Sequence, residues 1–252
     1  MYLAAGVAAA GGLALARPRL LRVGVGVLAG AAGLHALTFS LLHTADPTPP
    51  LTDASTAVSF MAWVGTVGFL LLLLRFRVAG LVALVAPVAF VSVFQAVLRL
   101  PHAEPAAVGS GSIPHAHVLL ASAGLALLGL SGMAGALFLV EHRRLKHKRP
   151  LAARSPLPSL EALDRVNALA LAVGFPLLTT GVVTGALWTQ QMYGAPWTGT
   201  AHETWCLLAW AIYAVLVALR FGAQLGARRC AASAAVGFLF ASFAVIGVEI
   251  LT

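Results

Sequence analysis

This sequence is short of charge. Only 10% of its 252 residues are Asp, Glu, Lys or Arg, against roughly 25% in an ordinary globular domain. A normal water-soluble surface is therefore excluded. With 60% apolar residues and a mean hydropathy of +0.93, the chain belongs in a membrane. Cysteine is also scarce. Cys206 and Cys230 lie far apart and form no CxxC, which points away from redox or thiolate–metal chemistry. The sequence contains no P-loop, no GxSxG, no HExxH and no glycine-rich dinucleotide turn, so soluble-enzyme chemistry has no support. The ten-residue alternating segments of a membrane barrel are missing too. The apolar runs are continuous instead, as expected of helices, which satisfy their own backbone groups in lipid.

A helical span needs about 20 apolar residues. Eight candidates fit, at roughly 1–16, 20–43, 56–74, 78–98, 115–140, 165–187, 203–221 and 231–251. The first is short and rich in Gly and Ala. No basic segment precedes it, so it reads as a span rather than a signal peptide. Pro87 and Pro176 fall inside spans four and six, where each frees a backbone carbonyl and is expected to kink its helix. Thr179 and Thr180 stand close enough to satisfy freed groups. No internal repeat is visible.

The net charge of +8 invites a nucleic-acid reading, but its distribution excludes one. Fifteen of the sixteen basic residues fall in connectors 1–2, 3–4, 5–6 and 7–8, and Arg99 is the exception. The positive-inside bias then places those connectors in the cytoplasm and both termini outside. The expected fold is all-α: a polytopic membrane helical bundle of about eight transmembrane helices forming a single integral membrane domain, 1–252. Its longest inner connector, the basic loop at about 142–162, suits anionic lipid headgroups.

One stretch breaks the apolar monotony. Gly185 to Phe221 reads GALWTQQMYGAPWTGTAHETWCLLAWAIYAVLVALRF. It holds a short polar segment with Trp188, Tyr193, Trp197, His202 and Glu203, pinned between spans six and seven at the outer face as a tryptophan-rich loop over about 188–202. Tryptophan and tyrosine also gather at membrane interfaces for purely physical reasons. Most histidines share that outer side: His43, His102, His115, His117 and His202. Neutral imidazole is a good axial ligand for haem iron, and tryptophans offer a flat wall for a porphyrin. His115 and His117 point about 200° apart on a helix, so both are not expected to serve one iron. His35 lies about 12 Å deeper than His43 and about 80° around the helix, so the two could face one cavity. Glu203, beside His202, also suits the positive end of a helix.

These residues resemble the tryptophan-rich signature of the cytochrome c assembly proteins, the CcsA/HemX-like haem-handling group. Gly185 and Trp188 match the opening GxxW, and Tyr193-Gly194 stands where Trp-Gly is usual. Trp197 matches the next aromatic, Glu203 matches the closing acid, and ETWCLLAWAIYAVLVALR matches the span that follows. Similarity extends to LPSLEALDRVNALALAVGFPLLTTGVVTGALW, to VSFMAWVGTVGFLLLLLRFR and to HVLLASAGLALLGLSGMAGALFLVEHRRLK, whose outer histidine is His117. The chain departs from the family where Gly199-Thr200 replaces a Trp-Asp pair, and it has no histidine after the last span.

The resemblance implies a multi-pass protein of the inner (plasma) membrane that binds or presents haem at the extracytoplasmic face. Haem would lie against Trp188 and Trp197, near Glu203, with His117 as an axial ligand of the iron. The second ligand is left open among His43, His102 and His202, or none, while His35 and His43 stand as an inner relay or second site. The implied partners are a second membrane subunit and apocytochrome c, with lipid around the bundle. Presentation rather than catalysis is the expected role, since the chain offers no obvious nucleophile. The rival is a HemX-like regulatory or structural protein that has lost haem and acts on a partner. A transporter is a third class, disfavoured by the lack of inverted repeats and midplane charges.

Overall fold

The computed structural model describes residues 1–44, 53–99, 112–147, 157–223 and 225–251. Among them there is no strand. Eight α-helices follow in order: α1 Tyr2–Ala14, α2 Pro18–His43, α3 Ala54–Leu73, α4 Val82–Arg99, α5 Ser112–Lys146, α6 Leu160–Tyr193, α7 Ala201–Val217 and α8 Ala227–Leu251. A 3-10 turn at Ala79–Leu81 leads into α4, and a π-helical turn at Ala218–Gly222 ends α7.

Local chemistry sets several of the ends. Pro18 opens α2 at a position where its missing N–H costs nothing. The Asp53 carboxylate accepts from Thr56 N to cap α3, and the Ser159 hydroxyl accepts from Ala162 N to cap α6. Gly194 stops α6 in the left-handed conformation, with φ 75°, which glycine adopts without a Cβ penalty.

Six helices, α2 to α7, are long and apolar enough to cross a membrane. The chain is a polytopic membrane helical bundle. Helix α8 has 25 residues, whereas α1 has only 13, about 20 Å against the roughly 30 Å hydrocarbon core. The first candidate span is thus shorter in the structure than the 1–16 reading. It packs on α2 and α4.

Helix α5 is the hub, packed against α6, α8 and α3. Small residues allow the close approach. A Cβ on Gly124 would fall 2.5 Å from Leu178 N of α6, and one on Gly135 would fall 2.4 Å from the Ala231 carbonyl oxygen of α8. Without a hydrophobic driving force between helices in lipid, such backbone proximity and interhelical polar contacts supply the adhesion. A buried polar clamp adds to it. Asn167 Nδ2 donates to the Ser131 carbonyl at 2.9 Å and to its hydroxyl at 3.0 Å, while that hydroxyl donates back to the Asn167 carbonyl at 3.1 Å.

The basic ends share one face of the bundle. Gly80, in the α3–α4 connector, lies so close to Pro158 before α6 and Leu13 of α1 that a Cβ there would meet them at 2.9 and 3.5 Å. Arg220 at the end of α7 forms a two-pronged ion pair with Asp164 of α6, at 2.7 and 2.9 Å.

The structure revises two local expectations. Helix α6 continues through Pro176 to Tyr193, so Trp188 stands on a helix and only Gly194–Thr200 is irregular. Thr179 and Thr180 donate to the carbonyls of Phe175, Pro176 and Leu177. They do not reach Ala172, whose carbonyl is the one that Pro176 cannot serve. The reason is reach: a threonine bonds three or four residues back along its own helix. Residues 148–156 of the basic connector lie outside the described residues.

Candidate functional site

The last four turns of α6 and the first two turns of α5 meet at the end of the bundle opposite the basic connectors. His117 enters α6 there. Its Nδ1 is 2.7 Å from the Gly181 carbonyl oxygen. A carbonyl only accepts, so Nδ1 carries the hydrogen. In the neutral ring this leaves Nε2 with a lone pair, the tautomer a metal ligand requires. The same carbonyl also accepts from the Thr184 hydroxyl at 2.9 Å.

Gly185 completes the seat. A Cβ at that position would lie 2.8 Å from both Cε1 and Nδ1 of His117, so only glycine lets the ring lie flat on α6. Gly185→Ala is expected to push the imidazole off its carbonyl. A purified variant that keeps its thermal midpoint but shows an altered His117 tautomer in its nitrogen NMR spectrum would meet that expectation. An unchanged spectrum would count against it.

Trp188 stands one turn beyond, its ring 6.0 Å from that of His117 and tilted by 45°. Its Nε1 is buried and has no hydrogen-bond partner among the described residues. The structure separates this tryptophan from two others nearby in sequence. Trp205 packs on Phe240 and Phe243 of α8. Trp210 stacks on Phe175 and donates to the Thr179 hydroxyl at 3.0 Å. Both serve helix packing.

Beyond Trp188 the chain turns through Gly194–Thr200. Trp197 sits in this turn, 43% exposed. Glu203 organises it: its carboxylate accepts from Thr198 N at 2.8 Å, the Thr198 hydroxyl at 2.8 Å and Gly199 N at 2.9 Å. The Thr200 hydroxyl accepts in return from Glu203 N at 3.3 Å. This is a capping box, with Thr200 at the N-cap and Glu203 three residues on. The carboxylate thus holds the turn that carries Trp197. His202 is exposed at the start of α7, with Nε2 3.6 Å from Cys206 Sγ.

His35 is placed elsewhere. It is buried among α1, α2 and α3, with Nδ1 3.0 Å from the Tyr2 hydroxyl and Nε2 3.0 Å from the Ser59 hydroxyl. Phe39 stacks on it at 5.0 Å. Both ring nitrogens are engaged within the protein. His43 ends α2, and its side chain, like the whole of His102, lies outside the described residues.

Among the described residues no three His, Cys, Asp or Glu side chains gather as they would around a metal ion held by protein alone. What the site offers instead is one oriented imidazole, an indole face and a buried N–H without an acceptor among the described residues. These fit an iron that brings its own equatorial ligands in a planar macrocycle. The residues that seat His117, Gly181 and Gly185, were not singled out in the sequence for that task. Their spacing of four on one helical face was the available signal.

Comparison with known proteins shows the family. A family described as cytochrome C assembly protein matches residues 29–252. The chain is 28% identical over 212 residues to the cytochrome c biogenesis protein CcsA of Chlamydomonas reinhardtii, covering 80% of this chain and 58% of that protein. It is 25% identical over 226 residues to CcsA of Prochlorococcus marinus strain MIT 9215, covering 80% and 73%. A shorter stretch of 91 residues is 37% identical to CcsA of Thermosynechococcus vestitus, covering 36% and 28%. This chain thus spans little more than half the length of the Chlamydomonas protein. A helical membrane bundle whose tryptophan-bearing turn, His117 and three of four basic connectors fall within the matched residues belongs to the cytochrome c assembly protein family.

Proposed function

We propose that this protein binds haem at the end of the bundle opposite its basic connectors and acts in cytochrome c biogenesis. The positive-inside bias makes that end extracytoplasmic. The observation that carries the reading is the seat of His117: Nδ1–H donated to the Gly181 carbonyl, Nε2 left with its lone pair, and Trp188 beside the ring.

In this reading His117 supplies one axial nitrogen. His202, exposed at the start of α7, is the second imidazole in this reading, and the exposed Trp197 covers the rim. Glu203 keeps that rim in shape. Haem, when bound, supplies an iron centre and vinyl groups able to add thiols. The chain holds and orients it where an apocytochrome c can reach, alongside a second membrane subunit. His35, with both nitrogens engaged, takes no part in the iron's ligation.

An optical spectrum tests the proposal. Protein purified from cells supplied with haem is expected to show a Soret band, with about one haem per chain by pyridine haemochrome. Absence of the band, together with no uptake of added hemin, would leave the rival reading of a regulatory membrane protein without haem.

A further inference from the structure

We infer that Trp188 does more than wall the site. Its indole N–H is the donor for a carboxylate oxygen of the guest, and it thereby decides which edge of the haem faces α6. This rests on the haem reading above.

The indole Nε1 of Trp188 is buried and has no acceptor among the described residues. Two other indoles of the bundle are matched. Trp63 donates to the Ala32 carbonyl and Trp210 to the Thr179 hydroxyl, each at 3.0 Å. Nearby acceptors are already engaged. The Gly181 carbonyl takes His117 and Thr184, and the Gly185 carbonyl takes the Thr189 hydroxyl. A buried donor left unmatched is costly in a low dielectric, so the site is complete only when a guest brings an acceptor. His117, 6.0 Å away, fixes where that guest sits.

The charge distribution around the site selects the edge. Beyond the α6–α7 turn from Trp188, the Glu203 carboxylate holds the segment that bears Trp197. An anionic edge would be repelled there and would gain a donor at Trp188. The carboxylate-bearing edge of the guest therefore faces α6. The opposite, apolar edge faces the exposed Trp197 turn, where a partner's thiols can approach.

Hemin and its dimethyl ester, titrated by absorbance into detergent-purified protein, test the inference. In wild type the ester, which has lost its charged oxygens, binds roughly tenfold more weakly than hemin. Trp188→Phe keeps an aromatic wall and removes the N–H. It is expected to weaken hemin by roughly the same factor and to leave the ester unaffected. Haem-free Trp188→Phe should melt at or above the wild-type temperature, since its unmatched donor is gone. Three results would overturn the inference: equal affinity of wild type for hemin and ester, equal loss of both ligands in the variant, or a lower melting point of the haem-free variant. The first comparison uses unaltered protein, so it decides the matter even if the variant fails to fold. Wild type that takes up neither compound refutes the haem reading itself, and the orientation falls with it.

Discussion

Purified His117→Ala protein is expected to carry no haem, and cells expressing it in place of the wild type to make no more cytochrome c than cells lacking the protein. Haem affinity should fall on the order of 100-fold or more, since even partners that merely orient a metal ligand cost 10- to 100-fold when lost. The fold should survive. Removing the ring frees the Gly181 carbonyl of one donor, yet the Thr184 hydroxyl still donates to it at 2.9 Å, so no buried acceptor is abandoned. The variant should therefore reach the membrane in wild-type amounts. A sharper version uses His117→Gly with imidazole in the medium. Beside Gly185 the vacated space has no competing side chain, and the free base should restore the Soret band. An unchanged cytochrome c level with His117→Ala present in the membrane would sink the haem proposal and favour the regulatory reading.

The second large effect concerns the helix pair that carries the site. In Gly124→Val, the first added carbon would lie 2.5 Å from Leu178 N and 2.8 Å from its Cα. These are backbone atoms of a packed helix and cannot swing aside as a side-chain tip would. Helices α5 and α6 must separate, at a cost of about 3 kcal/mol. The separation strains the Asn167–Ser131 clamp and draws His117 away from its carbonyl. The expected outcome is a thermal midpoint in detergent lowered by several degrees, together with loss of haem retention. Gly33→Ala on α2 is the control. Nothing lies within 4 Å of its would-be Cβ, so both readouts should match the wild type. If both variants behaved alike, close α5–α6 contact would not be what holds the site.

Much of the architecture was legible from residues alone because lipid permits so few solutions. Continuous apolar runs and the need for internal backbone hydrogen bonds leave helices as the choice. The arginines and lysines mark the helix ends that must stay in water. Boundaries were read less well where local propensity ran past the apolar segment. TQQMY, after Trp188, is polar yet continues α6, and Gly194 ends the helix.

The site was only half legible. The residue types were visible in order along the chain: a histidine opening span five, glycines and a tryptophan closing span six, an acid opening span seven. Their roles were not, because a role depends on what another helix places opposite. Glu203, considered for the cofactor, spends its carboxylate on the Thr198–Gly199 turn. His35, considered for a second site, has both nitrogens bonded by Tyr2 and Ser59, which lie on different helices.

By itself, then, the sequence determined the medium and the helices, since these follow from the cost of placing each residue in lipid or water. The tertiary structure decided which imidazole keeps a free lone pair and which indole keeps an unmatched donor. Those properties arise from hydrogen bonds between helices far apart in the chain, and only their packing brings the partners within 3 Å or withholds them.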